Sequence, residues 1–198
     1  MRHSVEKEKF GVRLRPVRMD DAAFIVWIRN LSHAKGRVGD SYTDTAGQET
    51  WLKKYFERDG DYYFIVETVR GVAVGAYGIY DVANGTGESG RWIIRPGVPA
   101  GIPSAIIGFE IAFHILKLKE LRARTVSTNQ PVLSLNLKMG FREVKVERGE
   151  QNIGGQPVDM VHFLLTPEAW AGVAPRFDAA GKVAEHQIRQ WEQTRNKL

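Results

Sequence analysis

The chain has no cysteine. That absence excludes disulfides, cysteine-ligated metals and a thiol nucleophile, and no metal is expected. It also lacks an apolar run of the roughly 18 residues that a membrane-spanning helix requires. The longest candidate, Ile102 to Leu118, is broken by Glu110, His114 and Lys117 and reads as a buried amphipathic helix. Met1 to Lys9 is polar and carries no apolar core of a secretion signal, so cytoplasmic residence without a membrane partner is expected. Nowhere do Lys and Arg form a dense run interleaved with aromatics, which argues against a nucleic-acid partner despite the net charge of +5. A scattered positive surplus suits phosphorylated small molecules instead, through simple attraction.

What is present supports a real core. Hydrophobic residues make up 43% of the 198 positions and five are tryptophan, which rules out global disorder and fits one domain with or without a tail. Val12 to Val17 alternates as a first strand. Asp20-Asp21 offers a carboxylate cap to a helix over Ala22 to Asn30, and a polar loop, Leu31 to Asp44, precedes a second helix over Ala46 to Arg58. Strands follow at Tyr62 to Thr68, Val72 to Val82 and Ser89 to Arg95. After the breaker-rich loop Pro96 to Gly101, a long helix is expected from Ile102 to Lys119, with Pro103 in its first turn. Arg122 to Thr128 reads as a strand. Phe141 to Arg148 and Val158 to Leu165 read as a hairpin around Gly154-Gly155. Thr166-Pro167-Glu168 starts a short helix, and Lys182 to Asn196 forms a separate terminal one. Its Val183, Ile188 and Trp191 make an apolar stripe that either a homodimer or the chain's own domain would bury. The element order gives an α+β fold with one mixed sheet.

One corner carries more information than the rest. In Asn129-Gln130-Pro131-Val132-Leu133-Ser134-Leu135-Asn136-Leu137-Lys138-Met139-Gly140-Phe141, a polar side chain opens a short amphipathic helix and a glycine closes it. This Asn-to-Gly-Phe spacing, with the element order from Val12 to Leu165, resembles the GNAT superfamily of N-acetyltransferases. Trp27-Ile28-Arg29-Asn30 and the final Asp159-Met160-Val161-His162-Phe163 strand resemble two of its groups. One acetylates ribosomal-protein N-termini and the other amino-sugar nucleotides. The resemblance implies a GNAT-like acyltransferase domain over residues 10–170 and a helical C-terminal extension over 171–198. It implies a central, mostly antiparallel sheet with a splayed parallel pair of strands and helices on both faces.

It also implies acetyl-CoA as cosubstrate and a small-molecule amine as partner. An amino sugar, free or nucleotide-linked, is the first acceptor; a protein N-terminus or an aminoglycoside is the alternative, and a non-catalytic CoA-binding module is a third reading. The cofactor's pyrophosphate would lie on the loop and helix start after Trp92, Ile93, Ile94 and Arg95, using amides of Gly97, Val98, Ala100, Gly101, Ile102 and Ser104. This loop departs from the usual Arg/Gln-x-x-Gly-x-Gly/Ala pattern, and Pro99 and Pro103 offer no N–H. The pantetheine arm would enter between Trp92–Arg95 and Arg124–Ser127, beside Asn129, which serves equally as a helix cap. Seven residues on, where many relatives place an acidic Tyr, stands Asn136, able to hydrogen-bond sulfur but not to protonate it.

Glu88 is a candidate base or a plain turn carboxylate. It is one residue from the position relatives use, where Ser89 falls, and such a slip reverses the face unless a bulge intervenes. His33 in the acceptor loop is a second candidate. Trp27, Arg29, Asn30, His162 and Tyr77 or Tyr80 would line the acceptor pocket. The tyrosines are three apart, so an unbroken strand points them to opposite faces and one alone is expected in the pocket. Trp27 is equally suited to the core. Arg29 would either read a nucleotide phosphate or pair with Asp20, Asp21 or Asp40.

Overall fold

Phe10 and Gly11 both adopt positive φ (52° and 77°), the conformation of a two-residue primed turn. They fold strand β1 (Lys7–Lys9) back onto β2 (Val12–Pro16), an edge hairpin that the polar N-terminus does not announce. What holds it is tertiary. Glu110 receives Lys7 at 3.0 Å and Lys9 at 2.7 Å, and the Phe10 ring lies where a side chain at Gly181 would stand.

The computed structural model describes residues 2–34, 37 and 42–195. After β2 come α1 (Ala22–Arg29), α2 (Thr45–Tyr55), β3 (Tyr62–Thr68), β4 (Ala73–Ala83), β5 (Thr86–Ile94) and α3 (Gly101–Glu110). Then follow β6 (Glu120–Val126), α4 (Gln130–Lys138), β7 (Arg142–Ile153), β8 (Gln156–Leu165) and α5 (Pro167–Arg195). The eight strands form one sheet in the order β1-β2-β3-β4-β5-β6-β8-β7, antiparallel throughout except for β5 beside β6. Asn84-Gly85 and Gly154-Gly155 turn two of its hairpins at positive φ, as their residue types require. Helices cover both faces. On one, Ile25, Leu52 and Tyr55 pack against Tyr63, Ile65 and Ala76. On the other, Ile106, Ile107, Trp170 and Ile188 close over Phe64, Val66, Tyr77 and Ile79.

Two helices differ from expectation. The long helix is α-helical only to Glu110 and ends in a wider π turn, Ile111–Ile115, closed by Lys117 at φ 56°. The two short C-terminal helices are one, α5, with Pro175 inside it. A helix-interior proline costs about 3 kcal/mol, whereas burying Trp170 and Ile188 each returns about 1.5–3 kcal/mol, so packing outweighs the break. The α5 stripe is largely engaged within the chain. Ile188 is buried and Trp191 packs on the core, while Val183 stays exposed. No described helix is long and apolar enough to cross a membrane.

Candidate active site

Parallel pairing of β5 with β6 runs from Thr86↔Glu120 to Ser89↔Ala123 and goes no further. Beyond that point β5 keeps to β4 (Ile93↔Ala76, Ile94↔Gly75) and β6 keeps to β8 (Thr125↔Val161, Val126↔Met160). The strands therefore part, and a cleft of about 500 Å³ passes through the gap.

A bulge on β5 decides which side chains meet there. Ala76 pairs with Ile93 and Gly78 with Gly90, so Arg91 and Trp92 together oppose Tyr77, and Arg91 takes φ 51°. The extra residue keeps Arg91 on the α1/α2 face, its guanidinium over Trp51, Tyr63 and Tyr80. Glu88 shares that face and accepts hydrogen bonds on Oε1 from the Tyr80 hydroxyl (2.6 Å) and Arg124 Nε (2.9 Å). Ser89 and Trp92 project to the opposite face. There Ser89 Oγ meets the Tyr77 hydroxyl at 2.7 Å and Trp92 Nε1 donates to Ser104 Oγ at 3.1 Å.

A chain of charge continues from Glu88. Arg124 also donates to Glu150 (3.1 Å), and Glu150 meets His162 Nε2 at 2.5 Å. Burial opposes the charge on Arg124, but the bonds and charges of Glu88 and Glu150 outweigh it, so its proton is held more tightly than usual. Burial likewise works to raise Glu150, and its bonds to His162 and Arg124 bring it below the ordinary value. Tyr80 is raised, by burial and then by the Glu88 charge, and Tyr77 is raised by burial, so neither phenol ionises near neutrality. Oxygens of Glu147 and Glu150 and a nitrogen of His162 lie within 4.8 Å of one another, with Glu150 already shared between Arg124 and His162.

Glu88, His33, Asn136, Trp92, Ile93, Ile94, Gly101, Asn129, Arg29, Tyr77 and Tyr80 all line the cleft. Both tyrosines do so because the cleft pierces the sheet and touches each face, which overturns the expectation of one alone. His33 Nε2 lies 3.2 Å from the Ile94 carbonyl, an acceptor, so that nitrogen carries the proton. Asn136 is buried and donates Nδ2–H to Thr125 Oγ1 at 3.2 Å. Asn129 makes no side-chain cap to α4, and its Oδ1 is buried without a partner.

Other expected residues lie outside the lining. Arg95 is held with its guanidinium over the Trp27 and Trp191 rings, which also places Trp27 at an exposed rim and not in the core. Val98 and Ala100 are buried in the core, and the Val98 N–H bonds the Arg95 carbonyl. The Ser104 N–H bonds the Ala100 carbonyl, and its hydroxyl donates to the Gly101 carbonyl at 2.8 Å while accepting from Trp92, so both its donors are engaged. Gly97 is exposed at φ 79°, and Ile102 packs against the core from the first turn of α3. Asn30 ties Val26 to Tyr42 through its amide instead of facing the cleft. His162 faces Glu150 behind the cleft wall. Arg29, which does line the cleft, sits where its charge works against the burial that raises the Tyr63 phenol. Of its expected partners, Asp21 pairs with Arg15 at 2.8 Å, and Asp40 lies outside the described residues.

Arg91 is a cleft residue that sequence reasoning passed over, and Arg124, Ser89 and Thr125 are cleft residues that it placed along the strands without a role. The one available signal was Arg124 inside β6 (Glu120–Val126), flanked by Ala123 and Thr125, where a charge needs a buried partner.

The acetyltransferase (GNAT) domain model matches residues 12–142. No curated protein sequence matches the chain significantly. Among solved structures, a GCN5-related N-acetyltransferase from Brucella melitensis superposes with a TM-score of 0.76 at 20% identity, covering 89% of this chain and 85% of its own. FdhC, a nucleotide-linked sugar GNAT, gives 0.73 at 22% identity, covering 88% and 97%. The spermidine N-acetyltransferase SpeG from Vibrio cholerae gives 0.72 at 18%, covering 82% and 98%.

Proposed function

We propose, from the premise that this chain belongs to the GNAT acetyltransferase family, that it is an acetyl-CoA-dependent N-acetyltransferase of a small-molecule primary amine. The acceptor we favour is an amino sugar, free or nucleotide-linked. The observation that carries this reading is the parted β5–β6 pair, with its cleft open to both faces of the sheet.

The residues fit the cosubstrate. Backbone groups along Trp92, Ile93 and Ile94, on the side that β6 has left, would hold the pantetheine amides as an added strand does, with the Ile94 carbonyl already accepting from His33. The first-turn amides of Gly101 and Ile102, ahead of the first intrahelical donor Ser104, suit a diphosphate. The orphaned Asn129 Oδ1 needs a donor, and an amide N–H of the arm would supply one. Bound there, acetyl-CoA supplies the acyl group and a thiolate leaving group.

The chain's own contribution is alignment first, worth about 7–11 kcal/mol of barrier in well-oriented systems. Glu88 takes the proton that the attacking amine loses. Tyr80 and Arg124 both bond its Oε1, so Oε2 is the oxygen assigned to the acceptor. His33 stands by as a second acceptor of the proton at Nδ1, since Nε2–H faces Ile94. Asn136 hydrogen-bonds the sulfur, and solvent protonates it. The C–N bond forms as the C–S bond breaks, with no enzyme-bound acyl group.

Calorimetric titration with acetyl-CoA, followed by thiol release against a panel of amines, tests this. Micromolar binding with turnover on an amino sugar is expected. Binding without turnover on any amine would leave a CoA-binding module in its place.

A further inference from the structure

Three basic side chains stand in one row across the sheet. Arg124 of β6 is paired opposite His162 of β8, and His162 opposite Lys145 of β7. Basic neighbours so placed repel one another unless acids intervene. Three carboxylates do. Glu88 accepts from Arg124 Nε at 2.9 Å, and Glu150 lies between Arg124 (3.1 Å) and His162 Nε2 (2.5 Å). Glu147 stands 3.8 Å from His162 and accepts from Lys145. The alternation Glu88–Arg124–Glu150–His162–Glu147–Lys145 is unbroken, and it runs from the cleft to the exposed edge of the sheet.

The edge strand is bent to make it. After Glu147↔Met160 the pairing resumes at Gln151↔Val158, so Arg148, Gly149 and Glu150 together oppose Asp159. Gly149 takes φ 60° and donates its N–H to Asp159 Oδ1 at 2.9 Å, which ties the bulge down. In a regular strand Glu147 and Glu150, three apart, would point to opposite faces. Here the bulge brings both to His162, the re-aiming that such bulges perform beside active sites.

We infer that this alternation sets the strength of Glu88 as a base, with Glu150 and His162, neither of which lines the cleft, as its positioning residues. The inference rests on the acetyltransferase reading above and supplies the regulation of its base. Glu150 as a carboxylate accepts only, so His162 Nε2 carries a proton, and a second proton at Nδ1 decides whether the ring is charged. A charged ring offsets Glu150 and leaves the charge of Arg124 to Glu88, which makes Glu88 the weaker base. A neutral ring leaves Glu150 to draw on Arg124, which makes Glu88 the stronger one.

Other titratable groups near Glu88 do not mimic this effect. Tyr80 is raised by burial, and Arg91 over its ring is held charged by Asp61, so neither changes charge near neutrality. Arg122, opposite Glu88 in the parallel pairing, faces Glu120. His33 on the cleft is the same in every protein compared below.

Two measurements test the inference, on wild type, H162Q and E150Q. Glutamine keeps a bonding group for Glu150 in the first variant and for Arg124 in the second. Carbon-13 NMR follows the Glu88 carboxyl across pH, assigned by its loss in E88Q, and needs no turnover. H162Q removes positive charge and should move this titration to higher pH. E150Q removes negative charge and should move it to lower pH, each by about half a unit for one partly screened charge. The second measurement is the pH profile of kcat with the fastest amine of the panel above. Its acid limb should move in the same two directions. Loss of packing alone would lower activity in both variants without opposite displacements. A Glu88 titration that stays in place, or moves the same way in both variants, overturns the inference. So does an acid limb that ignores both changes while the titration follows them, because Glu88 is then not the proton acceptor. Opposite displacements of the titration without transfer to any amine count against the acetyltransferase reading alone.

Discussion

Arg124 is the first β6 residue past the last β5–β6 pair, and its Nε–H reaches back across the opening to Glu88 Oε1 at 2.9 Å. The carboxylate proposed as proton acceptor is thus held at the point where the sheet splits. Its grip comes from one strand on each side, Tyr80 of β4 and Arg124 of β6.

Replacing Glu88 by Gln keeps an oxygen for Tyr80 and Arg124 to bond but removes the ability to accept a proton. The expected outcome is a fall in kcat of about 10²-fold, the low end of general-base contributions, with KM for acetyl-CoA unchanged. Arg124→Gln should lower kcat less. Because both changes act through one carboxylate, the double variant should lose no more than Glu88→Gln alone. Steady-state kinetics of the three proteins checks this, and additive losses would mean that Arg124 acts elsewhere.

Asn129→Ala separates a ligand group from a structural one. Its Oδ1 is buried without a partner and caps nothing, so truncation removes an unsatisfied polar atom. Apo stability should hold or rise, by up to about 1 kcal/mol, whereas a helix cap would lose about that much. The dissociation constant for acetyl-CoA should rise about tenfold, as expected for one lost hydrogen bond. Thermal unfolding with and without acetyl-CoA reads both effects in one experiment.

Much of the architecture was legible because the signals were local. Asn84-Gly85 and Gly154-Gly155 demand their turns, the aromatic and β-branched run Tyr62 to Thr68 demands a strand, and the GNAT order follows from counting elements. The failures share one cause, dependence on distant partners. Lys7–Lys9 is a strand because Glu110 and Gly181 lie across from it, and Pro175 stays in α5 because Trp170 and Ile188 are anchored on the core. At the site, the sequence named Glu88 but not its holder. The bulge at Arg91, invisible in a strand pattern, turns Arg91 to the face that the paired Glu88 and Tyr80 already share. Arg95 and Ser104 had the right chemistry for phosphate, yet indole rings engage the one and the Gly101 carbonyl takes the hydroxyl proton of the other.

Gly108 in α3 tests how closely the helix must approach the sheet. A Cβ there would come within 2.4 Å of the Tyr77 ring, which is buried and bonded at its hydroxyl to Ser89. Alanine gains about 1 kcal/mol of helix propensity, but overpacking a fixed buried ring costs about 1–3 kcal/mol, so the net sign is destabilising. Because Tyr77 also lines the cleft, Gly108→Ala should weaken acetyl-CoA binding as well as lower Tm by about 2–4 °C per kcal/mol lost. Gly172, which has open space around it, is the control: the same substitution should leave Tm level or raise it. A Gly108→Ala protein as stable as wild type would show that Tyr77 moves aside freely.

The hairpin of β1 and β2 is clamped by charge, which makes its stability depend on pH in a definite direction. Burial works to raise Glu110, yet hydrogen bonds from Lys9 and Lys7 hold its pKa below the ordinary carboxylate value of 4.5. A group depressed in the folded state stabilises above its unfolded pKa, and that contribution is lost as pH falls through the lower, folded value. Burial works to lower Lys9, but bonds to Glu110 and Asp178 raise it above 10.5, so its contribution is complete below 10.5 and disappears only as pH rises through the folded value. Between these limits the clamp is intact. Glu110→Gln should therefore destabilise the protein by about 1 kcal/mol at pH 7, the order of a partly exposed ion-pair cluster, and by progressively less as pH falls from the unfolded value through the lower, folded one. Urea unfolding of both proteins from pH 3 to 7 provides the measurement. Two curves that run parallel across that range, without converging at the acid end, would show that the clamp contributes no proton-linked stability.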